Sequence, residues 1–208
     1  IMLRFIRTLL DECGHEIHTL NLGGGFGVRY VEGDPEIDYE ANIRGLAGEI
    51  QRICAELSIR QPDILMEPGR SIVADSGMTL YTVGSVKTIT GYKSYVSIDG
   101  GMTDNIRYAL YESDYTALLA NRAKDPADFC ATIAGRCCES GDIIQEDVML
   151  PRPVRGDTLA VLVTGAYNYA MASNYNRIPR PPVVMLRDGK DYVAVRRESY
   201  EDLCRNDM

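Results

Sequence analysis

The sequence predicts two domains of different class: a partial α/β domain over residues 1–77, followed by an all-β domain over residues 78–208. Two observations carry this prediction. Up to about residue 75, helical patterns alternate with short apolar strands, and beyond about residue 78, β-branched and aromatic runs bounded by Gly, Pro and Asp take over. With 208 residues and 45% hydrophobic content, the chain can bury a sizeable core.

The opening "IMLRFIRTLL" resembles a signal segment only in its apolar residues. Arg4 and Arg7 interrupt it, and Asp11 and Glu12 follow, which suits an amphipathic helix. No stretch reaches the roughly 18 apolar residues that a membrane span needs. The chain begins at Ile1 already inside the helical pattern and reads as a fragment of a longer protein. "IHTLNL" is the next short strand, followed by the Gly-rich "GGGFG". A long helix comes after it, with Ile43, Leu46, Ala47, Ile50, Ile53, Cys54 and Leu57 on one apolar face. Asp34-Pro35 is the expected start of that helix, combining a cap with a pre-set φ. "DILM" forms a second strand, and two strands joined by a helical crossover imply a parallel sheet.

The strands expected in the second domain are "LYTVGSVKTIT", "YVSIDGG", "FCATIAG", "DTLAVLVTG" and the halves of "PPVVMLRDGKDYVAVRR". In the last of these, Asp188-Gly189 supplies the positive φ that a tight hairpin turn requires.

Composition narrows the function. A formal net charge of −8 and the lack of clustered Lys and Arg argue against a nucleic-acid backbone as partner and favour small-molecule chemistry. Six irregularly spaced cysteines, no CxxC and two histidines indicate neither a disulfide framework nor a metal site, so the cysteines read as cytosolic thiols. His15 and His18 read as structural or exposed.

Several motifs carry chemistry. Gly23, Gly24 and Gly25 follow a strand directly, where missing Cβ atoms let backbone N–H groups approach a phosphate. Ordinary turn chemistry explains the triplet equally well, and it is neither a dinucleotide fingerprint nor a Walker loop. Glu67-Pro68-Gly69-Arg70 repeats the arrangement after the next strand, and two such loops in succession favour one shared phosphate site over a surface ion pair. Arg107 and Tyr111 stand four apart, so on a helical turn both can grip one carboxylate; by spacing alone a solvated turn is the stronger reading. "GRCCESGD" places thiols beside a carboxylate. Cys137 and Cys138 cannot both point inward from one short extended segment. Tyr167 in "TGAYNYA" follows a strand, where its phenol either bonds a phosphate oxygen or completes a core.

Taken in order, "LNLGGGFG", "MEPGRSIV", "DGGMTDNIRYALY", "CCESGD" and "GAYNYAMASNYN" resemble the fold-type III pyridoxal-phosphate (PLP) decarboxylases over essentially the whole chain, and most closely the branch acting on diaminopimelate. The resemblance implies a PLP-binding β/α (TIM-type) barrel, of which the first domain is the later part, joined to a C-terminal β-sandwich or Greek-key barrel. It also implies a cytoplasmic homodimer with shared active sites. By the same resemblance Gly24, Gly25, Gly69, Arg70 and Tyr167 bind the cofactor's phosphate, and Glu67 faces its pyridine nitrogen. Arg70, Arg107, Tyr111 and Tyr167 are implied substrate contacts, with the two arginines and Tyr111 on the retained carboxylate. Glu139 takes the distal amino group, and Cys138 of the partner subunit acts as the proton donor. Ornithine lacks a second carboxylate and would leave buried cations unpaired, a mismatch that discriminates by about 10⁴ to 10⁵. Diaminopimelate fits better, with an ornithine, arginine or carboxynorspermidine decarboxylase as the nearest alternative.

The sequence departs from the family in two places. Lys87, Lys93, Lys124 and Lys190 lie in no motif matching the family's Schiff-base lysine, so the chain alone is expected to be inactive. Tyr108 stands where the family often has proline. A non-catalytic homologue serving as an interaction module is the rival reading.

Overall fold

A computed structural model describes residues 1–208. The chain divides into two compact units, one made of residues 1–29 and 35–72, the other of residues 30–34 and 73–208.

In the first unit, α1 (Met2–Cys13) turns Leu3 and Ile6 inward and stops at Gly14, whose φ of 64° lets its N–H reach back to Leu10. β1 (Thr19–Asn21) and β2 (Asp63–Leu65) pair in parallel, with Leu20 opposite Ile64. Between them runs α2 (Tyr39–Glu56). Its start differs from the expected Asp34-Pro35: the cap is Asp38, whose carboxylate accepts the Ala41 N–H at 2.9 Å. Asp34 instead accepts the N–H groups of Tyr30 and Val31, closing a turn before the helix. Ile50 and Cys54 of the predicted apolar face join Leu3, Ile6 and Leu20 in the core, whereas Ile43, one turn from the cap, is exposed. The short helix α3 (Gly69–Val73) follows β2.

The second unit is a six-stranded mixed sheet that curls toward closure. Its strands are β3 (Met78–Ile89), β4 (Lys93–Ile98), β5 (Ala117–Leu119), β6 (Phe129–Ala134), β7 (Ile143–Leu150) and β8 (Thr158–Leu162), in the order β5-β8-β3-β4-β6-β7. Helix α4 (Arg107–Tyr111) precedes β5. The long β3 serves two neighbours, pairing with β8 through Met78–Thr82 and with β4 from Val83 onward. The edge segments meet where the Tyr115 N–H donates to Gln145 Oε1 at 2.9 Å. Leu119, Ile133, Ile144, Leu150 and Leu159 are fully buried inside, each contributing about 1.5–3 kcal/mol of apolar burial. The hairpin β9 (Val183–Arg187) and β10 (Lys190–Val195) turns at Asp188 (φ 52°) and Gly189 (φ 72°), as the sequence predicts. A short α5 (Tyr200–Cys204) carries a Ser199 capping box. β5 and β7 are strands that the sequence reading did not anticipate.

Strand direction places the motifs. β4 and β6 are parallel neighbours, and β8 is antiparallel to β3, as β4 is. Therefore β4, β6 and β8 all run the same way, and the loops after them leave from one rim. Those loops are 99–106, leading into α4; 135–142, the β6–β7 hairpin loop; and 163–168. No helix is long and apolar enough to cross a membrane.

Candidate active site

The first unit gathers the two glycine-bearing turns. Because β1 and β2 are paired, the segments that follow them stay adjacent: the Glu67 N–H donates to the Gly23 carbonyl at 2.8 Å, and Leu22 N–H to Leu65 at 2.9 Å. Gly23 and Gly25 hold φ of 70° and 90°, and a Cβ on either, or on Gly69, would meet nothing within 4 Å. Gly24 differs. A Cβ there would overlap the Glu67 carbonyl oxygen, so only glycine allows the two turns to touch. The Glu67 carboxylate is exposed and held by the Asn21 amide at 2.7 Å, and Asn21 Oδ1 in turn accepts the Gly23 N–H. Arg70, on α3, has a buried Nε without a partner. Gly24, Gly25, Glu67, Gly69 and Arg70 thus share one rim of the first unit, and Asn21 joins them as a residue that its strand position alone did not flag.

In the second unit, Arg107 opens α4 beneath three tyrosine rings. Its guanidinium carbon lies 5.3 Å from the Tyr111 ring centre, 5.7 Å from Tyr167 and 6.0 Å from Tyr30. Arg107 Nε is buried without a partner, Nη2 donates to Ser113 Oγ at 3.4 Å, and the guanidinium also interacts with the Tyr115 hydroxyl. No side-chain carboxylate forms an ion pair with it, so an aromatic cage surrounds a guanidinium that has only hydroxyl partners. Tyr167 reaches the cage from a left-handed backbone (φ 63°) and, like Tyr111, is exposed. Tyr30 was not singled out by sequence; nothing in a tyrosine 77 positions before Arg107 announces that it will meet it. Its ring stacks edge-on against Tyr115 at 5.4 Å.

Cys137 and Cys138 separate as their adjacency predicts. Cys138 is exposed, while Cys137 is partly buried and its thiol is pushed up to about 11, first by burial and then by the nearby Asp142 carboxylate. Glu139 turns back on its own loop, 3.4 Å from both Ser140 Oγ and the Gly141 N–H. His15 and His18 are exposed, and no three His, Cys, Asp or Glu side chains gather as a set of metal ligands.

The chain belongs to the pyridoxal-dependent decarboxylases: the family described as "Pyridoxal-dependent decarboxylase, C-terminal sheet domain" matches residues 30–165. Within that class the similar proteins include diaminopimelate decarboxylases. That of Staphylococcus aureus is 52% identical over 199 residues, covering 95% of this chain and 47% of the relative, and that of Bacillus subtilis is 49% identical, covering 91% and 43%. Among solved structures, the diaminopimelate decarboxylase of M. jannaschii in co-complex with L-lysine superposes with a TM-score of 0.89 at 33% identity, covering 99% of this chain and 46% of that one. The chain spans about half the length of these relatives.

Proposed function

We propose that this chain provides the later part of a PLP-binding barrel and the β domain of a cytoplasmic, homodimeric decarboxylase that converts meso-diaminopimelate to L-lysine. The observation that carries the substrate choice is the Arg107 guanidinium, which has no carboxylate partner within its tyrosine cage. A half-buried arginine whose Nε is sealed from water and which has no carboxylate partner is suited to bind one, and diaminopimelate keeps a carboxylate after losing CO2, whereas ornithine does not.

PLP fits the first unit's rim, because the glycine turns leave open space beside Gly23, Gly25 and Gly69 while packing Gly24 against Glu67. Gly24, Gly25, Gly69 and Arg70 would hold the phosphate, with Tyr167 adding a hydroxyl. When bound, PLP supplies an electron sink for the bond to CO2. Glu67, oriented by Asn21, keeps a proton on the ring nitrogen, since a nearby carboxylate favours the charged form. Arg70, Arg107 and Tyr111 bind the retained carboxylate and Glu139 the distal ammonium. Cys138, reaching across from the partner subunit, would deliver the proton to the carbon that loses CO2. Cys137 is the poorer donor for that step, being partly buried with its thiol raised.

The test uses an active enzyme bearing this sequence. Release of CO2 from meso-diaminopimelate, with ornithine turned over orders of magnitude more slowly, is the expected result. Faster turnover of ornithine would overturn the substrate assignment.

A further inference from the structure

One buried side chain joins two of the rim loops, and none of the roles above uses it. Asp142 is 3% exposed. Its Oδ1 accepts the Met102 N–H and its Oδ2 the Cys137 N–H, both at 2.6 Å, so each oxygen serves a different loop. Main-chain bonds close the same junction: Gly135 N–H to the Asp142 carbonyl at 2.8 Å, Arg136 N–H to the Gly100 carbonyl at 3.1 Å, and Asp142 N–H to the Glu139 carbonyl at 3.1 Å. The space is filled. A Cβ on Gly101 or on Gly135 would overlap the carboxylate, which gives both glycines a reason to be there.

The Cys138 N–H is fixed separately, donating to Asn176 Oδ1 at 2.8 Å. Successive amides of the thiol-bearing segment are therefore anchored by two side chains, one on the hairpin loop and one after β8. A carboxylate suits the first position because it offers two charged acceptors and no donor; an amide would present an N–H toward one of the two N–H groups.

We infer that Asp142 is a positioning residue, clasping the loop that carries Cys138 and Glu139 to the loop that leads into Arg107, so that the proton-donor loop is presented to the partner subunit in a fixed pose. The clasp stands on geometry alone, while its bearing on catalysis rests on the roles proposed above for Cys138 and Glu139.

Two measurements test it separately. In the 208-residue chain, Asp142→Asn and Asp142→Ala should each speed amide exchange at Met102 and Cys137, and iodoacetamide labelling of Cys137, by at least about tenfold, with exposed Cys130 unchanged as internal reference. Gly135→Ala, which keeps the carboxylate but displaces it, should do the same. Unaltered exchange and labelling in the Asp142 variants would overturn the clasp. In an active enzyme bearing this sequence, Asp142→Asn should lower kcat by at least about tenfold and add no further loss to Cys138→Ala, the signature of acting through that thiol. Additive losses would mark a merely structural role and overturn the positioning inference. Full rate in Cys138→Ala alone would instead remove the proton-donor assignment, leaving the clasp to be judged by exchange and labelling.

Discussion

Glu198→Gln should weaken the β domain in a manner that depends on pH. Glu198 accepts the Arg180 backbone N–H at 2.8 Å, Arg180 Nε at 2.8 Å and Nη2 at 2.5 Å, and the Asn174 amide at 2.6 Å. The Arg180 guanidinium, then its backbone N–H, hold the Glu198 carboxyl down from 4.5 to about 2. At about 1.4 kcal/mol per pH unit, that fall sets a ceiling of about 3 kcal/mol. The Arg180 side chain is 39% exposed, so solvent screening reduces the expected contribution to about 1–2 kcal/mol. The sign follows from a folded-state pKa below the unfolded one: the stabilisation is complete above about pH 4.5 and is lost as pH falls toward about 2. Urea unfolding of both proteins at intervals from pH 7 to pH 2 should show a gap of that size near neutrality that closes over this window. A gap that is absent at pH 7, or constant across the window, would refute the reasoning. The same contact steadies the Asn174 turn, two residues before the amide that holds Cys138.

Three further outcomes are expected. In an active enzyme, Cys138→Ala should lose about 10²- to 10⁴-fold in turnover while Cys137→Ala keeps most of it, and equal losses would deny the distinction between the two thiols. Glu67→Gln should lower turnover far more than cofactor affinity, measured by PLP absorbance titration; the reverse pattern would mean that Glu67 binds the cofactor and does not tune it. Gly24→Ala should cost about 1–3 kcal/mol of first-unit stability by pushing the two glycine turns apart, read as a lowered urea midpoint, and an unchanged midpoint would contradict the tight Glu67 contact.

What the residues disclosed depended on range. The Asp188-Gly189 hairpin was legible because its turn is decided by two adjacent backbones. The long helix was legible from its period, though not its start, since Asp34 and Asp38 are both credible caps and only the surrounding turn assigns Asp34 to Tyr30 and Val31. β7 escaped because "IIQEDVML" carries acidic residues mid-strand and lacks clean alternation, and β5 because three residues show no period. At the candidate site, the glycine turns and the Arg107–Tyr111 spacing were local signals. Tyr30 and the bond from Asp142 to Met102 were not, because each joins segments far apart in the chain that only the fold brings close.

Tyr30–Asp34 belongs to the second unit although residues of the first precede and follow it in the chain. The Tyr30 carbonyl accepts from the Thr116 hydroxyl at 2.8 Å, and its ring covers Tyr115. A scissor placed at residue 72 would therefore not liberate a whole β module. The excised piece would leave behind a five-residue strap, stranding the Thr116 hydroxyl and baring one flank of Arg107, so attempts to dissect this protein should carry that strap along.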